Sequence, residues 1–324
     1  MSPEPLERPK DSTLAGSNRS KSLSNLVANR LVASGLLVIM CLSVFALSAP
    51  LLTRAGWLQN PVAQSSKGLD EDGMPKSMGD GSVLGTDNLG RDVLSRVVYG
   101  TRVSLTVGIA SMLTATLIGV IIGIASGYYG RALDVVLMRF TEMNMTLPAV
   151  LLAVALAGVL DNRLIHLHPA GLEWHWLDIE LKRGMASLFL IIGFVSWPGM
   201  VRVIRAEVLA LKEREFVIAS RALGASDSRI ILKHILPNIL PTVIVLAAMT
   251  TAGTILMEAG LGYLGIGVPP PTPTWGSMIN DGQPYFITAP HLVIVPGVAI
   301  LLTVLAFNLL GQGLQEVITP RQRR

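Results

Sequence analysis

Long apolar runs alternate with polar intervals along this chain, and the runs lack the charged face that a water-exposed helix carries. Six of them, over 31–52, 103–126, 145–160, 185–201, 235–257 and 292–314, read as membrane-crossing helices, each needing about 20 mostly apolar residues. The third is the shortest and is predicted to begin earlier, around Phe140, with Glu142 near its end. No Asp, Glu, Lys or Arg falls within the apolar centre of any run. The pattern predicts an all-α polytopic membrane protein. Its parts are a polar tail (1–30), a first transmembrane helix (31–52), a long loop with a short interfacial helix (53–102), a five-helix domain (103–314) and a second tail (315–324).

One polar interval is too structured for a simple connector. The segment "EFVIASRALGASDSRIILKHILPNILP", 215–241, reads as a helical hairpin. Its first helix is predicted over about 206–223, with Phe216, Ala219 and Leu223 on one stripe and Glu213, Arg214 and Arg221 away from it. Gly224 can end that helix in the left-handed conformation, and Ser226 or Asp227 can cap the next, which carries Ile230, Ile231 and Ile235. Pro237 and Pro241 mark the entry to the fifth run. A connector lying on lipid headgroups would bury Phe216, Val217 and Ile218. The small Ala219, Ser220 and Ala222 instead let a protein partner approach closely.

Charge sets the orientation. Arg8, Lys10, Arg19, Lys21 and Arg30 in the first tail fall on the same side as Arg131 and Arg139, the basic hairpin, and Arg321, Arg323 and Arg324. The interval 258–290 on the opposite side has no Lys or Arg. Basic residues collect in cytoplasmic loops, so six helices with both termini cytoplasmic satisfy the rule best. Ala46-Leu47-Ser48 loosely fits a signal-cleavage site, but the preceding tail and the run are both too long, and an uncleaved first helix is predicted.

Composition agrees: 51% of residues are hydrophobic and 15% charged, the balance of a membrane protein. The 31 glycines suit helices packed through small side chains. The net charge of +4 does not indicate nucleic acid, because no basic run alternates with aromatics. Cys41 is the single cysteine, which excludes an intrachain disulfide and predicts a packing role inside the first helix.

Little in the chain resembles catalytic chemistry. No lysine follows a glycine, so no phosphate-binding Walker loop exists and ATP must be used on another chain. An ion-coupled transporter would carry intramembrane Asp, Glu or His relays, and an intramembrane enzyme would carry an acid/base or metal set. The apolar centres offer no carboxylates for the first and no such set for the second. His166, His168 and His175 lie close together in 161–184 and could bind Ni²⁺ or Zn²⁺, but their spacing fixes no geometry, so no metal site is assigned. Before the second run, Asp92 can cap a short helix carrying Val93, Val97 and Val98 and ended by Gly100, with Asp87, Arg91 and Arg96 around it. Scaffolding is the favoured role there, ahead of substrate contact. Pro269, Pro270, Pro271 and Pro273 make a stiff loop ending at Trp275, a docking ledge or a gate.

The hairpin carries a resemblance. Ile218-Ala219-Ser220, Gly224 and Leu236-Pro237 stand where the signature loop of bacterial ABC importer permeases has Glu-Ala-Ala, Gly and Leu-Pro, with Ile218 and Ser220 as departures. "GTDNLGRDVLSRVVYGTRVSL" (85–105), "EAGLGYLGIGVPPPTPTWGSMINDG" (258–282) and "AILLTVLAFNLLGQGLQEVITP" (299–320) are similar to C-type permeases of dipeptide, oligopeptide and nickel importers, most of all to the dipeptide ones. The resemblance implies a type I ABC importer permease fold in the bacterial inner membrane, with a coupling loop over about 205–235. Over 215–237, Glu215, Phe216, Ala219, Ser220, Ala222, Leu223, Gly224, Ala225, Leu236 and Pro237 would meet an ATPase. Gly85, Thr86, Asp87, Gly90, Arg91, Asp92, Ser95 and Arg96 match the motif before the second helix. The implied partners are a second permease subunit, two cytoplasmic ATPases that hold ATP and Mg, and an external (periplasmic) binding protein. No cofactor is implied on this chain. The substrate implied first is a dipeptide or short oligopeptide, with nickel as the alternative. With no charge in the spans to fix a peptide's termini, selectivity would sit in the binding protein.

Overall fold

A computed structural model describes residues 29–80, 82–160, 164–166, 178–180 and 184–318. Four helical stretches in it are long and apolar enough to cross a membrane alone, and two bent pairs bring the total to six. In chain order the helices are α1 (Arg30–Arg54), α2 (Val93–Tyr129), α3 (Arg131–Thr146), α4 (Ala149–Leu160), α5 (Met185–Ser196), α6 (Pro198–Leu211), α7 (Glu215–Ala222), α8 (Asp227–Ile230), α9 (Leu236–Tyr263), α10 (Trp275–Gly282) and α11 (His291–Ile318). A short antiparallel pair, β1 (Leu164–His166) and β2 (Asp178–Glu180), was not expected from the sequence. The candidates His168 and His175 lie outside the described residues, and of His166 only its strand position is described.

The second membrane helix is the spine of the fold. Asp92 caps it as expected, its carboxylate accepting from the Ser95 N–H at 2.8 Å. The separate interfacial helix is corrected: α2 runs unbroken for 37 residues, through Gly100. Gly100 is not a terminator but a point of close packing, where a Cβ would sit 3.3 Å from Trp275 Cδ1. Further along, Gly119, Gly123 and Gly127 recur every fourth residue and face α6. A Cβ on them would stand 2.9, 2.8 and 2.8 Å from the Cβ atoms of Met200, Ile204 and Val208. Only glycine admits that approach, and it is how helices gain contact where lipid offers no hydrophobic drive.

Three other expectations change. The third run does not begin near Phe140 as one helix: α3 and α4 meet at 94°, because Leu147 is extended ahead of Pro148. The fourth run, expected over 185–201, bends by 47° between α5 and α6, with Pro198 opening the second piece. The fifth outlasts its predicted end at 257, continuing to Tyr263 and enclosing Glu258, which the apolar pattern assigns to the following loop. At its start the chain makes a π turn over Ile231–Ile235, with the Leu236 N–H reaching the Ile231 carbonyl. Pro237, which has no N–H, follows directly, so the wider turn leads into a helix that tolerates it. Cys41 is also corrected: it is exposed on α1, which turns Val32, Gly35, Ala46 and Ala49 inward instead.

A candidate coupling hairpin and a buried charge cluster

Two assemblies of polar residues lie at opposite ends of α2. The first is the hairpin. Its expected first helix, 206–223, is two helices, because the chain leaves α6 at Leu211 and starts α7 at Glu215 from an extended Arg214. At the end of α7, Gly224 has φ +81°, the left-handed region where a side chain is disfavoured. The Ala225 N–H bonds the Ser220 carbonyl at 3.1 Å, and the Gly224 N–H bonds that of Arg221 at 3.0 Å. This is a Schellman turn, which satisfies carbonyls that the helix end would leave open. Ser226 occupies the N-cap position of α8 but makes no side-chain capping bond.

The hairpin turns different apolar residues to its two sides. Val217 and Ile230 are fully buried and join Ile204, Val208, Ile235 and Tyr128 in one core cluster. Phe216 and Leu223, which share the expected stripe, are 41% and 89% exposed. A single turn of helix cannot present Phe216 and Val217 to the same side, and the core takes the β-branched residue. The hairpin is thus anchored through Val217 and Ile230 while Phe216, Ile218, Leu223 and Leu232 project outward. Glu215, Ala219 and Ala222 are exposed beside them, and Ser220 and Ala225 are half-buried. Leu236 and Pro237 stand apart from this tip, at the start of α9.

Polar contacts bind the hairpin to the spine. Tyr128, at the end of α2, donates its hydroxyl to Asp227 Oδ1 at 2.6 Å and accepts from Arg221 Nη2 at 3.2 Å. The Arg221 guanidinium carbon also lies 5.5 Å from the Tyr128 ring centroid. The contact with Tyr128 raises the hold of Arg221 on its proton. Nearby, Arg205 grips Asp134 with two bonds of 2.6 Å, and Lys212 Nζ donates to the Gly127 carbonyl at 3.0 Å. These fasten α6 to α3 and to α2.

The second assembly gathers the motif before α2. Gly85, Thr86, Asp87, Gly90, Arg91, Asp92, Ser95 and Arg96 are all buried. Asp87 accepts the backbone N–H groups of Leu89 and Arg91, each at 2.9 Å, and its other oxygen meets Arg91 Nε at 2.6 Å and Arg96 Nε at 3.3 Å. Both guanidinium groups also reach Asp281 on α10, at 3.4 and 3.2 Å. Gly90 packs where a Cβ would strike the Ser65 carbonyl oxygen at 1.9 Å. Asp87, Arg91 and Arg96 thus balance charge out of water, with the 39% exposed Asp281 at the rim, and removal of a buried partner from such a set costs about 3–5 kcal/mol.

Asp281 and Glu258 escaped the sequence reading. Asp281 stands 190 residues from Arg91 and carries no local signal. Glu258 is fully buried, beside the hydroxyls of Ser104 and Thr274, with no ion-pair partner among the described residues. Its sequence signal is a carboxylate at the edge of an apolar run, which a fixed end for the fifth helix at 257 conceals. The same corner holds Trp275, whose indole N–H donates to the Val97 carbonyl at 3.3 Å, so α9, α10 and α2 close on one another there.

Four unbroken apolar helices and two bent pairs, up to six crossings in all, with an ordered hairpin ahead of α9, make a polytopic membrane protein. The chain belongs to the family of binding-protein-dependent transport system inner membrane components, whose model matches residues 119–324. It is 33% identical to the dipeptide transport system permease protein DppC of Alkalihalophilus pseudofirmus, over 100% of this chain and 97% of that protein. It is also 33% identical to the glutathione transport system permease protein GsiD of Pectobacterium atrosepticum, over 90% of this chain and 86% of that one. To the oligopeptide transport system permease protein OppC of Bacillus subtilis it is 32% identical, over 92% and 88%. Among solved structures, an inward-facing form of the MetNI methionine ABC transporter matches at a TM-score of 0.51 and 20% identity, covering 70% of this chain and 97% of that one. That likeness concerns the fold.

Proposed function

We propose that this chain is the membrane permease subunit of an ATP-driven importer of dipeptides or short oligopeptides, seated in the bacterial inner membrane with both termini in the cytoplasm. The observation that carries this reading is the full-length similarity to a dipeptide permease, joined by comparable similarity to glutathione and oligopeptide permeases. In this reading the chain supplies half of the translocation pathway, and a second permease subunit supplies the rest. Two cytoplasmic ATPases bind ATP and Mg, and an external binding protein delivers the peptide.

The hairpin is the ATPase contact. Its outward Phe216, Ile218 and Leu223 offer apolar anchors of the kind that seat a small helix in a protein groove, and its inward Val217 and Ile230 tie that contact to the membrane helices. The buried charge cluster serves as scaffold for the external loops. Most of its polar groups are engaged within it, with Arg96 Nη1 the buried exception.

Uptake of a labelled dipeptide, in cells lacking only this chain and in cells with it restored, tests the reading. Uptake should be lost and then recovered, while ⁶³Ni²⁺ uptake stays constant. Loss of nickel uptake with dipeptide uptake intact would overturn it.

A further inference from the structure

We propose that the Tyr128 hydroxyl is the hub through which movement of the hairpin reaches α2, making Tyr128 a positioning residue for ATP-driven opening at the far end of the molecule. The inference rests on the importer reading for the source of the movement and goes beyond it in naming the link. One oxygen joins both arms of the hairpin. It donates to Asp227, the first residue of α8, and accepts from Arg221, in the last turn of α7. The two arms flank the Gly224 turn, so a push on the tip displaces both at once. Among the described residues, the side-chain hydrogen bonds from α2 to α7 and α8 all pass through this oxygen.

The opposite end of the same helix makes the link consequential. At 37 residues α2 is about 56 Å long, well beyond a hydrocarbon core of about 30 Å. Arg96, in its first turn, is bound to Asp87 and Asp281 in the buried cluster. A rod held by a hydroxyl at one end and by buried ion pairs at the other moves as a unit. The loops around Asp87 and the α10 segment around Asp281 then follow the hairpin. The other ties at the hairpin end, Lys212 to Gly127 and Arg205 to Asp134, secure α6 and α3 but reach neither α7 nor α8.

Val217 and Ile230 share the apolar cluster of the Tyr128 ring and keep the hairpin seated, while the hydroxyl fixes the two arms to α2. Tyr128→Phe therefore keeps the ring and the core and removes only the shared oxygen. The assembled complex, with its ATPases, is reconstituted in lipid vesicles with Cys41→Ala and an environment-sensitive fluorophore on Val83→Cys, an exposed position at the far end. ATP should change the fluorescence of this parent. In Tyr128→Phe the change should shrink about fivefold while ATP hydrolysis continues. Asp227→Ala, which removes the acceptor, should do the same, with the double variant no worse than either single one, as groups acting through one contact require. Arg221→Gln, at an exposed residue, provides a second variant whose folding is not at issue. A full-amplitude change in Tyr128→Phe and Arg221→Gln, or additive losses in the double variant, would overturn the hub. The fluorescence needs no substrate, so peptide uptake by the parent vesicles judges the importer reading separately.

Discussion

Gly224 holds a backbone conformation that costs an ordinary L-residue about 1–2 kcal/mol, and no atom lies within 4 Å of the site a Cβ would fill. The penalty for replacing it is therefore conformational and confined to the turn. Gly224→Val should leave membrane insertion and protein amount unchanged yet abolish dipeptide uptake, because the Schellman bonds that set the angle between α7 and α8 are lost. Normal uptake by the variant would remove the turn from the coupling path. At this scale the sequence was readable at several residues that act on their neighbours, though not at Gly100, which continues its helix, or at Ser226, which makes no side-chain capping bond. Asp92 before an apolar helix announces a cap, and glycine after an amphipathic turn announces a helix end. Partners remote in the chain were not readable. Nothing near Arg96 points to Asp281, and nothing near Tyr128 points to Asp227, 99 residues on. Tyr128 in particular reads as one more interfacial aromatic until α8 is brought beneath it.

Between elements, the contact of α2 with α6 rests on three glycines, and its tolerance should be sharply local. A leucine at Gly123 would place its Cβ 2.8 Å from Ile204 Cβ and 3.2 Å from the Val201 carbonyl oxygen, so the helices must separate. Gly123→Leu should lower the unfolding midpoint of the purified protein by roughly 5 °C, whereas Gly253→Leu, with no atom within 4 Å of its Cβ site, should leave it unchanged. Equal midpoints would mean that the seam contributes no stability. Hydropathy located the six crossings because lipid exposure selects apolar residues over the whole depth of a helix. It did not locate the breaks at Leu147 and Trp197 or the fusion of the interfacial helix with α2. Continuity of a helix depends on backbone geometry and on neighbours, and an apolar run looks the same whether straight or bent. The direction of α7's faces went unread for a related cause: in an eight-residue helix the stripe is too short to define one, and burial of Val217 decides it.

For the molecule as a whole, orientation is an electrostatic inference with a direct check. On the Cys41→Ala background, Leu223→Cys should react with a membrane-impermeant maleimide only in inside-out vesicles, and Val83→Cys only in right-side-out ones. Labelling of both from the same side would reject the six-crossing topology. The family was legible because its motifs are long and contiguous, whereas the cooperation of those motifs at the two ends of α2 emerges only in three dimensions. The glycine seam finally sets how the protein responds to temperature. Water-driven burial carries a large heat-capacity change and weakens on cooling, but helices that exclude lipid instead of water exchange one close-packed apolar neighbour for another. The Gly119–Met200 end of the seam should therefore hold almost evenly in the cold, and among the described parts the water-facing hairpin, with the Ile204 and Val208 it packs on, should loosen first.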